Sequence, residues 1–289
     1  MKNIEWDESF FLLKLSKAKD RDEQLEICRS MIWQFYAQCR RSFSWREVIT
    51  PYRILVSEVM LQQTQTSRVE QKFEQFMNKF PTIHDLAKAS LHEVLTVWSG
   101  LGYNRRGRFL WLASQIVVEQ WQGTISDDPD RLVTLPGVGK NSAGSIVAFA
   151  YNKPTIFLET NVRAVLIHYF FSDRDDVHDK ELLPILNELV DRERARDFYY
   201  ALMDLGVWLK KKYKNPTRKS SSYNKQSPFE GSVRQVRGAI LRCLLAEKKV
   251  QKNYLFEKVG YEKELFDLAL KQLVHEELVS SGRSFFKIK

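Results

Sequence analysis

Cysteine is scarce in this chain. The three present, Cys28, Cys39 and Cys243, are an odd number with no close metal-ligand spacing. That argues against a disulfide framework and against a zinc motif, and makes a reduced, intracellular protein the simplest expectation. Long apolar runs are also missing, so no segment approaches the length of a membrane span. The opening MKNIEWDESFF lacks the basic-then-apolar order of a secretory signal. Acidic residues fall short of basic ones, 36 against 45, which leaves a net charge of +9. Such an excess favours a polyanionic partner, although it equally suits a basic protein with no such partner. What is present in quantity is core material. At 289 residues and 44% hydrophobic content the chain can bury one large core or two of ordinary size.

The most informative stretch is LPGVGKNSAGSIVAFAYNKPTIFLETN, from Leu135 to Asn161. Gly137 and Gly139 bracket a tight apolar turn and can take backbone angles closed to other residues. A helix of small residues is predicted from about Asn141 to Ala150, and a short one from Asp127 to Thr134, so the unit reads as helix, hairpin, helix. The first amides of the second helix point outward, with the positive end of its dipole and the charge of Lys140 beside them. That is a seat for one phosphate. A glycine turn before a helix can equally be a simple connector.

Upstream, Leu25, Ile27, Cys28, Met31, Ile32 and Phe35 recur at helical spacing within Glu23 to Tyr36, which predicts an amphipathic helix. Pro51 can open a helix at Tyr52. Glu58, Gln62 and Gln65 recur on it at four and three residues and so share one side, read most simply as a solvated polar face. From Pro81 the pattern predicts three short helices, with a break at Ser99-Gly100-Leu101-Gly102 followed by Tyr103. Tyr103 reads as a loop residue packing on its neighbours, and Arg105, Arg106 and Arg108 as phosphate contacts or a basic loop.

Together these blocks resemble the helix-hairpin-helix DNA glycosylases of the HhH-GPD, endonuclease III-like superfamily, and among them the MutY-type adenine-specific enzymes. The resemblance runs from about Phe43 to Leu209, with its blocks unbroken from Glu58 in SEVMLQQTQ to Glu159 in LETNVRAV. It implies an all-α fold of two helical lobes with DNA between them, and a base-excision-repair enzyme that flips its target out of the duplex. It implies further that Glu58 is the catalytic acid, its carboxyl kept protonated by desolvation in a base pocket near Trp45 and Arg46. Gln62 and Gln63 match the wedge that fills the gap left in the stack, and Tyr103 the tyrosine set beside the damaged guanine opposite the target adenine. Asn161 matches an asparagine near the sugar, and Thr160 and Asn161 are expected to cap the next helix. Asn141 stands where lyase-competent relatives carry a Schiff-base lysine, and an amide cannot be that nucleophile, which implies monofunctional hydrolysis.

The chain departs from the pattern in several places. Glu159 stands where the family has the aspartate that stabilises the sugar cation, so the carboxylate sits one methylene further out; the same role is expected of it. Asn104 replaces a second tyrosine found in many members. The four cysteines of the family's iron–sulfur loop would fall at Lys210, Thr217, Ser220 and Gln226, none of which is cysteine. No cluster, metal or other cofactor is therefore expected.

Residues Leu182 to Leu209 are predicted to continue helical. Lys210 to Lys225 contains no acidic residue, and reads either as a grip on backbone phosphates or as a flexible linker. Beyond it, an apolar stripe (Val236, Ala239, Ile240, Cys243, Leu244), a helix near Tyr254, a longer one from Glu262 to Glu276, and a hairpin turning at Ser280 to Arg283 resemble a winged helix. The third helix is acidic, which favours protein contact or packing over groove binding. No counterpart of the family's separate 8-oxoguanine-reading domain is evident. The expected organisation is a glycosylase core over 1–209, a basic linker over 210–228 and a winged-helix-like unit over 229–289. The expected activity is hydrolysis of adenine mispaired with 8-oxoguanine or guanine in double-stranded DNA, by a monomer in default of any oligomeric signal. The rivals are a mismatch glycosylase for thymine, uracil or another lesion, and a DNA-binding protein without catalysis.

Overall fold

The computed structural model describes residues 6–225, 227–282 and 285–289. Gln226 and the turn residue Arg283 therefore lie outside the described residues, as do the first five residues of the opening stretch. The chain is mainly helical and forms two compact units. The first comprises Met1–Ile54, Asp127–Val133 and Val138–Lys225; the second comprises Leu55–Ser126, Thr134–Gly137 and Gln226–Lys289.

The chain opens with α1 (Ser9–Leu15), α2 (Arg21–Cys39) and the single turn α3 (Ser44–Glu47). The Asp20 carboxylate caps α2 by accepting from the Glu23 amide. Helix α4 (Pro51–Leu61) follows and carries the chain from the first unit into the second. Next come α5 (Thr66–Lys79), α6 (Ile83–Lys88), α7 (Leu91–Trp98) and α8 (Arg105–Gln120). Reciprocal capping boxes, Thr82 with Asp85 and Ser90 with Glu93, start α6 and α7. The third helix of this run, expected to be short, extends over 16 residues.

The predicted helix-hairpin-helix is present as α9 (Pro129–Leu132) and α10 (Lys140–Tyr151), with α9 shorter than expected. Then follow α11 (Thr160–Phe170), α12 (Asp179–Leu189) and α13 (Ala195–Lys212). The helical stretch predicted from Leu182 to Leu209 is thus broken at residues 190–194. Helix α13 packs against both α2 and α11. The basic segment after it is anchored over part of its length rather than free. A tight turn at Pro216–Lys219 buries Pro216 and Thr217, and Ser220 pairs with Val177 through backbone bonds.

The last stretch builds α14 (Val233–Glu247), β1 (Val250–Gln251), α15 (Lys252–Val259), α16 (Lys263–His275), β2 (Val279–Ser281) and β3 (Phe285–Ile288), the element order of a winged helix. The strands lie antiparallel in the order β1-β3-β2, with Val250 opposite Phe286 and Val279 opposite Ile288. Ser280 and Ser281, expected in the turn, belong to β2. This stretch does not have a core to itself, because Val236, Ile240, Leu244, Phe266 and Leu273 are buried in one cluster with Leu91 and Leu95 of α7. Several acids of the third helix and its end are engaged within the unit: Asp267 with Lys252, Glu276 with Arg237, and Glu277 with Arg108 and Lys289.

The first unit is organised around a buried carboxylate. Asp204, 2% exposed in the middle of apolar α13, accepts from the Arg41 amide at 2.9 Å and Arg41 Nε at 2.7 Å. Arg46 completes the set with two parallel bonds, Nη1 to Oδ2 at 2.9 Å and Nη2 to Oδ1 at 3.0 Å. Its guanidinium also lies 4.2 Å from the centroid of the Tyr200 ring. Removing the carboxylate strands a buried cation, so Asp204→Ala is expected to destabilise the fold by about 3–5 kcal/mol. Urea unfolding measures this, and a loss below about 1 kcal/mol, the scale of an exposed pair, would contradict it.

Candidate active site

In the first unit the candidate residues gather at the head of α11. Glu159 occupies its N-cap position and Asn161 its first turn. The expectation that Thr160 and Asn161 cap this helix is corrected: the chain is still extended at Glu159, at φ −79° and ψ 159°, and Thr160 is already helical. Glu159 is half-buried. Burial raises its carboxyl above the usual range, while the Thr160 backbone N–H, Arg163 and Lys210 pull it back down. Arg163 divides its charge, since Nε and Nη2 hold Asp179 at 2.9 and 2.8 Å.

Asn141, in the first turn of α10, fixes the approach to this carboxylate. Its Oδ1 accepts from the Leu158 amide at 3.2 Å, and its Nδ2 donates to the Leu158 carbonyl at 3.4 Å. An amide, donor and acceptor at once, suits both halves of one peptide residue. Trp45 and Arg46, expected near the base, are both buried, Trp45 stacked on Phe43 at 4.8 Å and Arg46 locked to Asp204. Arg46 is therefore a core residue; local sequence could not reveal a partner 158 positions away. The signal that could have was the acid in YYALMDLGVWL, since a carboxylate on an apolar helix face needs a cation.

In the second unit, Glu58 is half-buried on α4. Gln62 and Gln65 do not share its helix, because α4 ends at Leu61 and Gln63 takes a left-handed conformation at φ 54°. The cause is Arg106, read from sequence as a phosphate contact. Its buried guanidinium donates to the carbonyls of Val59 and Met60, each at 2.9 Å, and to that of Gln62, thereby satisfying carbonyls at the helix end. It also reaches Thr64 Oγ1 at 2.8 Å and the Gly102 carbonyl at 3.2 Å. Burial lowers its pKa to about 10. Arg108 is likewise engaged, by Glu277, whereas Arg105 is exposed beside Phe109.

Arg106 therefore ties the loop after α4 to the loop before α8. Gln62 adds a third loop by donating from Nε2 to the Gly137 carbonyl at 3.1 Å, and Gln63 is exposed. Tyr103 sits in the second of these loops at φ 45°, an uncommon conformation for an aromatic residue. Its ring lies 5.3 Å from the Arg106 guanidinium, and its hydroxyl accepts from Arg234 Nη1 at 3.0 Å. Arg234, on α14, was not singled out from sequence, and nothing local marks it.

At the hairpin only one glycine is conformationally demanding. Gly137 lies at φ 78°, and a Cβ there would come 2.9 Å from the Phe109 Cβ. Gly139, expected to need the same freedom, lies at φ −87° with open space around it. Gly139 and Lys140 are both exposed at the start of α10.

Residues 56–192 match the HhH-GPD superfamily of base excision DNA repair proteins. The chain is 32% identical over 232 residues to an adenine DNA glycosylase of Mycobacterium tuberculosis, which covers 73% of this chain and 76% of that protein. It is 32% identical over 169 residues to an adenine DNA glycosylase of Buchnera aphidicola, covering 58% of this chain. The chain spans about half of that relative's length, 48%. Among solved structures, a thermostable thymine-DNA glycosylase is similar at a TM-score of 0.58 and 25% identity, covering 64% of this chain and 87% of that one. The chain belongs to the HhH-GPD superfamily of base excision DNA repair proteins.

A Cβ in the left-handed region costs roughly 1–2 kcal/mol. Gly137→Ala is expected to lose at least that much stability, and Gly139→Ala to lose little. Thermal unfolding of the two variants side by side checks this, and equal losses would contradict the assignment of strain to Gly137 alone.

Proposed function

We propose that the protein is a monofunctional DNA N-glycosylase that hydrolyses adenine mispaired with 8-oxoguanine or guanine in double-stranded DNA. What supports the reading, in a chain of this family, is the half-buried carboxylate of Glu159 at the head of α11 in the first unit, with Glu58 half-buried on α4 in the second. Residues 1–209 would form the catalytic core, 210–228 a basic connecting segment and 229–289 a winged-helix-like unit. The target nucleotide leaves the stack, at a cost of about a few kcal/mol. Glu58, in its acid form, gives a proton to a ring nitrogen of the adenine, which makes the base a better leaving group. As the glycosidic bond breaks, its electrons go to the base, and the ionised Glu159 opposes the positive charge left on the sugar. Water then adds to the anomeric carbon, and the proton it loses passes to solvent, from which the Glu58 carboxylate regains its acid form. Asn141 supplies no amine for a covalent intermediate, which supports hydrolysis without strand cleavage.

The DNA-facing parts in this reading are Gln62, Gln63 and Tyr103, with Arg105, Gly137, Gly139 and Lys140 meeting backbone phosphates. The donor set that would face a cluster contains Lys210, Thr217 and Ser220 and no thiolate, so it does not fit an iron–sulfur centre. Among the described residues no group of three or more His, Cys, Asp or Glu is arranged to hold a metal ion, and no helix is long and apolar enough to cross a membrane.

Single-turnover base release from duplexes carrying A opposite 8-oxoguanine, A opposite G, T opposite G and U opposite G tests the proposal. Strand breaks at adenine that appear only after alkali are expected. Release of a pyrimidine would favour the substrate of the thymine-specific neighbour instead, and release from none would remove the enzymatic reading. On the preferred duplex, Glu58→Gln should lose roughly 10²- to 10⁴-fold in rate with duplex binding retained.

A further inference from the structure

The head of α11 is touched by one more polar side chain, and it comes from α13. Gly206 packs so closely there that a Cβ would collide with the Asn161 carbonyl. Four residues on, and so on the same helix face, Lys210 is half-buried and its Nζ donates to Asn161 Oδ1 at 2.9 Å. An ammonium has no acceptor, so it settles the orientation of the amide: oxygen toward the lysine, nitrogen left as the donor end. Burial pushes the Lys210 ammonium down to about 8, while Glu159 acts to hold the proton on. The residue at the place of the family's first cluster cysteine thus serves the candidate site instead.

We propose that Lys210 is a positioning residue for base release, fixing the Asn161 amide and placing a positive charge beside Glu159 from the neighbouring helix. The proposal rests on the glycosylase reading above. The charges acting on Glu159 are Lys210 from α13 and Arg163 from α11, with Asp179 of α12 already drawing on Arg163. Glu159 has its folded pKa raised by burial, so its ionised form is lost as pH falls, and a cation beside it delays that loss. Deleting Lys210 moves the loss to higher pH. At the alkaline end, Lys210 gives up its own proton near its pKa of about 8 and the benefit fades.

The test is the pH profile of single-turnover adenine release by the full chain, with Lys210→Gln and Lys210→Arg beside the wild type. In Lys210→Gln the acid limb should move up by about one pH unit or more, with duplex affinity unchanged. Lys210→Arg, which keeps charge and donor, should restore the acid limb and extend activity on the alkaline side. An independent readout follows the Glu159 carboxyl by 13C NMR, assigned with Glu159→Gln; its titration should move up in Lys210→Gln and stay put in Lys210→Arg. If the wild type releases adenine and Lys210→Gln keeps the same profile, the positioning role is wrong. If no duplex releases a base, the glycosylase reading fails, and the carboxyl titration still decides whether Lys210 acts on Glu159. Thermal unfolding of both variants separates these outcomes from loss of fold.

Discussion

Two helices in the first unit meet without a side chain between them, and the candidate site follows from that contact. Gly206 lets α13 press against the head of α11 at Asn161. Larger residues would push the helices apart, and the polar groups around the contact would lose their register. Asp204, two residues earlier, holds the same helix from another direction through Arg41 and Arg46. The helix that anchors the core by a buried ion cluster thus also supplies the ammonium beside Asn161. An acid, a glycine and a lysine within seven residues perform three separate tasks, each imposed by a different neighbour.

The second unit solves a different problem, that of holding irregular backbone still. The last turn of α4 and the loops after it and before α8 leave carbonyl groups that no regular ladder satisfies, and a buried guanidinium, with five donors in a rigid fork, can satisfy several at once. Arg106 does so, and Gln62 extends the network to the hairpin. The C-terminal stretch joins the same unit by sharing a core with α7, and it reaches Tyr103 through Arg234. A tyrosine at positive φ, held at its hydroxyl and flanked by a guanidinium, is a pre-set feature rather than a loose loop residue.

Much of this was legible in the sequence where the cause is local. The 3.6-residue periodicity of α2 and α14, the proline opening α4, the glycine turn before α10 and the winged-helix order all depend on neighbours within a few residues. Misreadings arose where the cause lies far along the chain. Gln62 and Gln65 fit the periodicity of α4, yet Arg106, more than forty residues on, captures the carbonyls at its end. Arg46 was placed near the base pocket by resemblance alone, and nothing local in the sequence indicates its ion pair with Asp204 on α13. Gly139 resembles Gly137 in sequence, and only φ separates them. Lys210 read as the start of a basic linker, because a motif says which cysteine is absent and not where its replacement points.

In the proposed reaction the ionised Glu159 opposes the positive charge that develops on the sugar. The most direct test is single-turnover release of adenine opposite 8-oxoguanine by Glu159→Gln and Glu159→Asp, with duplex affinity measured alongside. Loss of a charge that acts only on the developing cation predicts a fall of at least roughly 10²-fold for Glu159→Gln at unchanged affinity, with Glu159→Asp retaining more of the rate. Release at the wild-type rate by Glu159→Gln would contradict it.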